Sequence, residues 1–221
     1  MKRVSVVFTE HAENGLCNSS ELLAILMRIN PEVIFLEAPA AALGTYFNRG
    51  RMNLEGTAVS RYREKHRVDL IPVDLPTPEA AFFENFGEVI DRVGRAGPEY
   101  DQIAGTHRHY VSVYGFAYLN SEYCSDLFSK RYAAILTAIG KLADPRLAEN
   151  YDLWIKTNER RDAAMMENIR KHCRQASFSN YAFLVGAAHR QSIMSLSRSE
   201  EGPGASEIPW DFSGFLERPV T

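Results

Sequence analysis

Four side chains that can move a proton or bind a cation each follow a short apolar run. His11 follows Val4-Ser5-Val6-Val7-Phe8, and Glu37 follows Val33-Ile34-Phe35-Leu36. Asp74 follows Val68-Asp69-Leu70-Ile71-Pro72-Val73, and His189 follows Tyr181-Ala182-Phe183-Leu184-Val185 by way of Gly186-Ala187-Ala188. Glu10 stands directly before His11. Two imidazoles with one or two carboxylates can divide general acid and base roles. They can also hold a divalent cation, and mixed nitrogen and oxygen donors suit zinc, manganese, cobalt or iron. A carboxylate at a strand end has a simpler use, capping the next helix or pairing with a lysine or arginine. That is the expectation for Asp74, while Glu37 admits both roles. One histidine after a strand is commonly structural; two aimed at one edge point to a site.

The apolar runs must be the elements that position these groups. They are continuous, rich in Val, Leu and Phe, and followed by helical sequence, which predicts buried strands of a parallel sheet. Ligands collect outside the carboxyl ends of such strands. Ser19 or Ser20 is expected to cap a helix through Ile29, stopped by Asn30-Pro31, so the first 37 residues form a right-handed βαβ unit. Arg49, Arg51, Arg61, Arg63, Lys65 and Arg67 make the next segment basic, which fits a wet surface or attraction to an acidic ligand. Within it, Glu55, Ala58, Tyr62 and His66 recur at helical spacing. Pro72 favours an edge position for the third strand.

Residues 79–175 read as a helical insertion between the third and last core strands. Asn120-Ser121 caps a helix over Cys124 to Leu142, and Asp144-Pro145 opens a long one to about Lys171. Residues 199–206 read as a mobile linker to a tail, Ile208 to Phe212, that docks back on the body. The expected fold is a single α/β domain over 1–221, with a small, mostly parallel sheet flanked by helices.

The apolar stripe of the long helix runs Leu147, Tyr151, Trp154, Met165 and Ile169, and the same face carries Asn158, Arg161 and Asp162. Charged residues on a core-facing stripe need partners. Arg161 and Asp162 can pair with Glu37 or Asp74, either as a structural tie or as groups that orient the site and hold an anion. Arg190, beside His189, is placed with them. His107-Arg108-His109 reads as a solvated polar turn, and Tyr110, Tyr114, Phe116 and Tyr118 as helix-packing core. There is no Gly-x-Ser-x-Gly and no phosphate-cradling glycine loop.

Of 221 residues, 45% are hydrophobic and 24% charged, with a net charge of −3, so nothing points to nucleic acid or an anionic membrane. No apolar stretch approaches the roughly 20 residues that span a bilayer. The run behind Met1-Lys2-Arg3 ends at Glu10, too short for a signal peptide, and the cytoplasm is the default location. Cys17, Cys124 and Cys173, widely spaced and without a Cys-x-x-Cys, read as reduced, buried thiols.

The order strand-x-x-His, helix, then Asn30-Pro31-Glu32-Val33-Ile34-Phe35-Leu36-Glu37 resembles the start of TraB/PrgY/GumN-type proteins. These are related to the Tiki proteases and, more distantly, to the erythromycin-esterase and ChaN-like group. Arg161-Asp162-Ala163-Ala164-Met165 is similar to that family's Arg-(Asn/Asp)-x-x-Met helix, and Gly186-Ala187-Ala188-His189 to its second Gly-x-x-His. The likeness covers the start of the chain and roughly residues 155–195. It implies an α/β core with inserted helices. In the Tiki branch it also implies metal-dependent peptide hydrolysis, with manganese, cobalt or zinc at His11, Glu37 and His189 and with Arg161 close by. In the esterase-like branch it implies a histidine base without metal. Phe8 stands where the first motif has glycine, and Glu10 adds a carboxylate. The expected function is hydrolysis of a peptide, ester or amide bond in a peptide or small molecule. A metal would lower the pKa of a water toward 7, Glu10 or Glu37 would take its proton, and Arg161 would stabilise negative charge. The departure at Phe8 motivates the alternative, a non-catalytic binding module on the same fold.

Overall fold

Six of the seven residues of Arg3–Thr9 (β1) are buried, as a continuous apolar run inside a sheet covered on both faces requires. The computed structural model describes residues 2–47, 53–198 and 208–216. After β1 come Ser19–Ile29 (α1), Val33–Leu36 (β2), Leu43–Tyr46 (α2), Leu54–Arg63 (α3) and Asp69–Pro72 (β3). Four long helices follow: Ala80–Ala96 (α4), Pro98–Leu119 (α5), Glu122–Leu142 (α6) and Pro145–Gln175 (α7). Asn180–Gly186 (β4), Arg190–Arg198 (α8) and Trp210–Asp211 (β5) are the last elements among the described residues. The result is an α/β fold: an all-parallel sheet in the order β3-β2-β4-β1-β5, flanked by helices, with the helical insertion between β3 and β4.

This order decides what the site can contain. The last core strand, β4, enters between β1 and β2, pairing Val6 with Phe183 and Phe35 with Phe183 on its two sides. The carboxyl ends of β1, β2 and β4 are therefore neighbours, although residues 9, 37 and 186 are far apart in the chain. Pro72 ends the edge strand β3, where its missing donor costs no ladder bond. On the other side β5 pairs only with Val4 and Ser5. Further along β1 the Asn120 side chain replaces a strand: its Oδ1 accepts the Phe8 N–H at 2.9 Å and its Nδ2 donates to the Phe8 carbonyl at 3.1 Å.

Helix α1 starts one or two residues earlier than a cap at Ser19 or Ser20 would place it. Asn18, with extended backbone, accepts from the Ser20 and Glu21 amides, so it and not Ser19 or Ser20 is the cap. Asn30 ends the helix in the left-handed conformation at φ 49°. The long helix α7 runs to Gln175, one turn beyond the expected end, and Ser121 caps α6 as expected. Val89, Val93, Tyr100, Ile135, Ile139, Leu147 and Tyr151 give α4–α7 a small core of their own beside the main one. The tail docks through β5 and through Phe212, which stacks on Phe8 at 6.2 Å. Residues 199–206, read as a linker, and Arg49 and Arg51 lie outside the described residues. Among the described residues no helix is long and apolar enough to cross a membrane.

Candidate functional site

At the carboxyl edge of the sheet lies a cleft of about 760 Å³, closed on its far side by α6 and α7. His11, Glu37, Asp74, Asn158, Arg161, Asp162 and His189 all line it, as does Glu10. The sequence-predicted residues thus converge, with one exception. Arg190 points away: its guanidinium lies over the Phe8 ring at 5.2 Å and donates to the Ser121 carbonyl, to Met194 and to Glu122. Its place on the first turn of α8, behind His189, turns it toward the core under the tail.

The floor is an ion lattice. Arg161, from the middle of α7, donates through Nε and Nη2 to Asp74, through Nη2 to Glu37 Oε1 at 2.7 Å, and through Nη1 to Asn158. Asp162, one residue on, accepts from His189 Nδ1 at 2.5 Å, and His189 Nε2 faces Glu37 Oε1 at 3.1 Å. The Gly186 amide donates to Glu37 Oε2 at 2.7 Å. A β-carbon at Gly186 would sit 3.3 Å from the same oxygen, a tight contact that presses on the carboxylate. Burial opposes charge on both Glu37 and His189. Their mutual contact, with Asp162, Gly186 and Arg161 around them, outweighs it: Glu37 is held well below the usual carboxylate range, and His189 is raised to about 10. The Glu37 carboxylate and the His189 imidazolium are both charged at neutral pH.

His11 stands apart from this lattice, at the mouth. Its side chain is 62% exposed, and Nδ1 meets Glu55 Oε1 at 3.1 Å. Glu55 is buried on the first turn of α3, which is tied down where the Leu54 amide donates to the His11 carbonyl. Thr9 donates to the same Glu55 oxygen at 2.6 Å. Since a carboxylate can only accept, Nδ1 carries a proton and Nε2 is left for the cleft. The Glu55 hydrogen bond raises His11 to about 9.

A third histidine pair was not anticipated. His107 lies inside helix α5 and is buried, not in a polar turn. Its Nε2 meets Glu10 Oε1 at 2.7 Å and its Nδ1 the Tyr118 hydroxyl at 2.8 Å. Glu10 is therefore held on the α5 side of the cleft. Of the aromatic set, Phe116 and Tyr118 are buried, but Tyr114 is 53% exposed.

A divalent metal does not fit the donor set as it is arranged. Glu37 Oε1 already faces N–H groups of Arg161 and His189, Oε2 takes the Gly186 amide, and both His189 nitrogens face carboxylates. A cation on Glu37 and His189 would have to displace a proton from His189 and sit against a guanidinium. Among the described residues no group of three or more His, Cys, Asp or Glu is placed to hold a metal ion.

The lattice makes stability depend on pH. His189 is raised from about 6.5 to about 10 in the folded protein. The stabilisation from that shift is complete below about pH 6.5 and is lost as pH rises through about 10. Urea midpoints should fall between pH 7 and 10, and His189→Asn should make that fall shallower, leaving the part due to His11, which is raised to about 9. A wild-type midpoint constant over the range would show that His189 is neutral in the folded state.

Comparison of the chain with family models, with curated proteins and with solved structures finds no match.

Proposed function

We infer that the chain is a hydrolase of a peptide, ester or amide bond, akin to the TraB/PrgY/GumN group, with the cleft as its active site and His11 as its base. The carrying observation is the Glu55–His11 pair: a buried carboxylate fixes the proton on Nδ1 and leaves Nε2 open to the cleft. In the reaction Nε2 takes a proton from water as its oxygen adds to the carbonyl carbon, and the carbonyl π electrons move to oxygen. Arg161 Nη1, which meets Asn158 and neither acid, is the group on the floor that can donate to the developing oxyanion. The tetrahedral species collapses, the carbon–leaving-group bond breaks, and the proton on His11 passes to the departing alcohol or amine. Arg161 also positions Glu37 and Asp74. No step needs a metal. Three buried, unpaired cysteines support a reducing compartment such as the cytoplasm.

The saturated floor favours a second reading, a cleft that binds a peptide or small molecule without turnover. One assay separates the two. With 4-nitrophenyl butyrate as probe, the wild type should exceed the buffer rate and His11→Ala should lose at least about 100-fold. The exposure of His11 lets that variant fold, which circular dichroism checks. EDTA should leave the wild-type rate unchanged. A rate that survives His11→Ala, or one that EDTA abolishes, overturns the assignment, and ligand binding without any rate supports the second reading.

A further inference from the structure

The upper wall of the cleft has no part in the lattice, and its chemistry is of a different kind. Trp154 of α7 is stacked on Phe86 at 3.6 Å and on Phe82 at 5.1 Å, with Phe83 edge-on at 6.4 Å. Phe83 lines the cleft and is 45% exposed. Large aromatic surface left open beside a concave site is ligand-binding surface in many proteins. The same cleft is lined by Arg131 of α6. Its guanidinium lies 5.2 Å over the Tyr100 ring and 6.0 Å from the Phe128 ring, and it donates to the Tyr100 hydroxyl at 2.6 Å. Two rings and a hydroxyl hold it in place, and among the described residues no carboxylate lies within ion-pair distance of it. A planar guanidinium, backed by rings and lacking an acid, is the arrangement that recognises a carboxylate.

Among the described residues none of the cleft's acids reaches Arg131 within ion-pair distance. Arg161 holds Glu37 and Asp74, His189 lies between Glu37 and Asp162, and His107 meets Glu10. Glu159 remains, but it is exposed at the rim and screened by solvent.

We propose that the cleft takes compounds that carry a ring-bearing apolar group and a carboxylate, the ring on the Trp154–Phe83 wall and the carboxylate on Arg131. This rests on the reading that the cleft is where substrate binds, and it needs no turnover. Its test is therefore a binding test, independent of the esterase assay. Three probes share one ring and differ in the head group: 3-phenylpropanoate, 3-phenylpropan-1-ol and 3-phenylpropan-1-amine. Titration of the full chain by calorimetry should give the carboxylate about tenfold tighter binding than the alcohol, and the amine the weakest. Arg131→Gln should erase the preference for the carboxylate while still binding the alcohol. Arg131→Lys should keep part of it, which separates charge from any loss of packing on Tyr100. Trp154→Ala should weaken all three probes. Equal affinities in the wild type, tightest binding of the amine, no binding of any probe, or a preference that survives Arg131→Gln would each overturn the assignment. A binding preference in a chain with no esterase rate would leave this inference standing and remove only the hydrolase reading.

Discussion

Arg161→Met should lower the stability of the fold by about 3–5 kcal/mol, the usual consequence of removing one partner from a buried ion pair. The side chains of Glu37 and Asp74 are only 8% and 5% exposed, and both rely on the same guanidinium. Without it, Glu37 keeps His189 and the Gly186 amide, while Asp74 keeps the Leu75 amide. Neither carboxylate can then be well solvated where it lies. Methionine fills similar space, so the loss is electrostatic and not a cavity. Lysine should recover little, because a point charge cannot reproduce the fork that spans both acids. Adding Glu37→Gln to Arg161→Met should recover part of the loss, since one of the stranded charges is then gone. Urea denaturation at pH 7 reads all of these. A loss below about 1 kcal/mol for Arg161→Met would mean that the lattice behaves like an exposed surface pair and does not frame the cleft.

The lattice is also the part of the site most visible in the sequence. Continuous apolar runs announce parallel strands, and parallel strands put Glu37, Asp74 and His189 on one edge. Arg161 and Asp162 are visible because charge on an otherwise apolar helix stripe demands a partner. The pairing itself is not visible: Arg161 goes to the two acids and Asp162 to His189, which depends on β4 entering between β1 and β2.

Glu55 obeys the same logic. It shares a helical stripe with Ala58 and Tyr62, both buried, so a carboxylate there also needs a partner. His107 was less legible. Its burial could be read from the stripe it shares with Tyr100, Val111 and Tyr118, at steps of seven, four and seven residues, but its partner Glu10 is 97 residues away and no spacing points to it. Arg190 adjoins His189 in sequence but not at the site, because one residue along a helix is a rotation of about 100°. Phe8, standing where the first motif has glycine, packs against Phe212 and Arg190 in the core under the tail.

Glu55→Gln should change the pH dependence of hydrolysis more than any other single substitution. In the wild type the Glu55 hydrogen bond raises His11 to about 9, so the rate governed by a His11 base should climb with pH and level off above that value. At pH 7 only about 1% of a base with that pKa is unprotonated. Glutamine still accepts the Thr9 hydroxyl but removes the charge, so the pKa of His11 should fall toward about 6.5 and the limb should move with it. More of the base is then free at pH 7, but it is weaker and its ring is no longer held by an anion. Those losses should lower the plateau by about 10²–10⁴-fold, the range assigned to a positioned base. The two enzymes should therefore differ least near neutrality and most at pH 9–10. A limb that stays near 9 in Glu55→Gln would place the proton transfer on another group. A loss of equal size at every pH would give Glu55 a purely structural role.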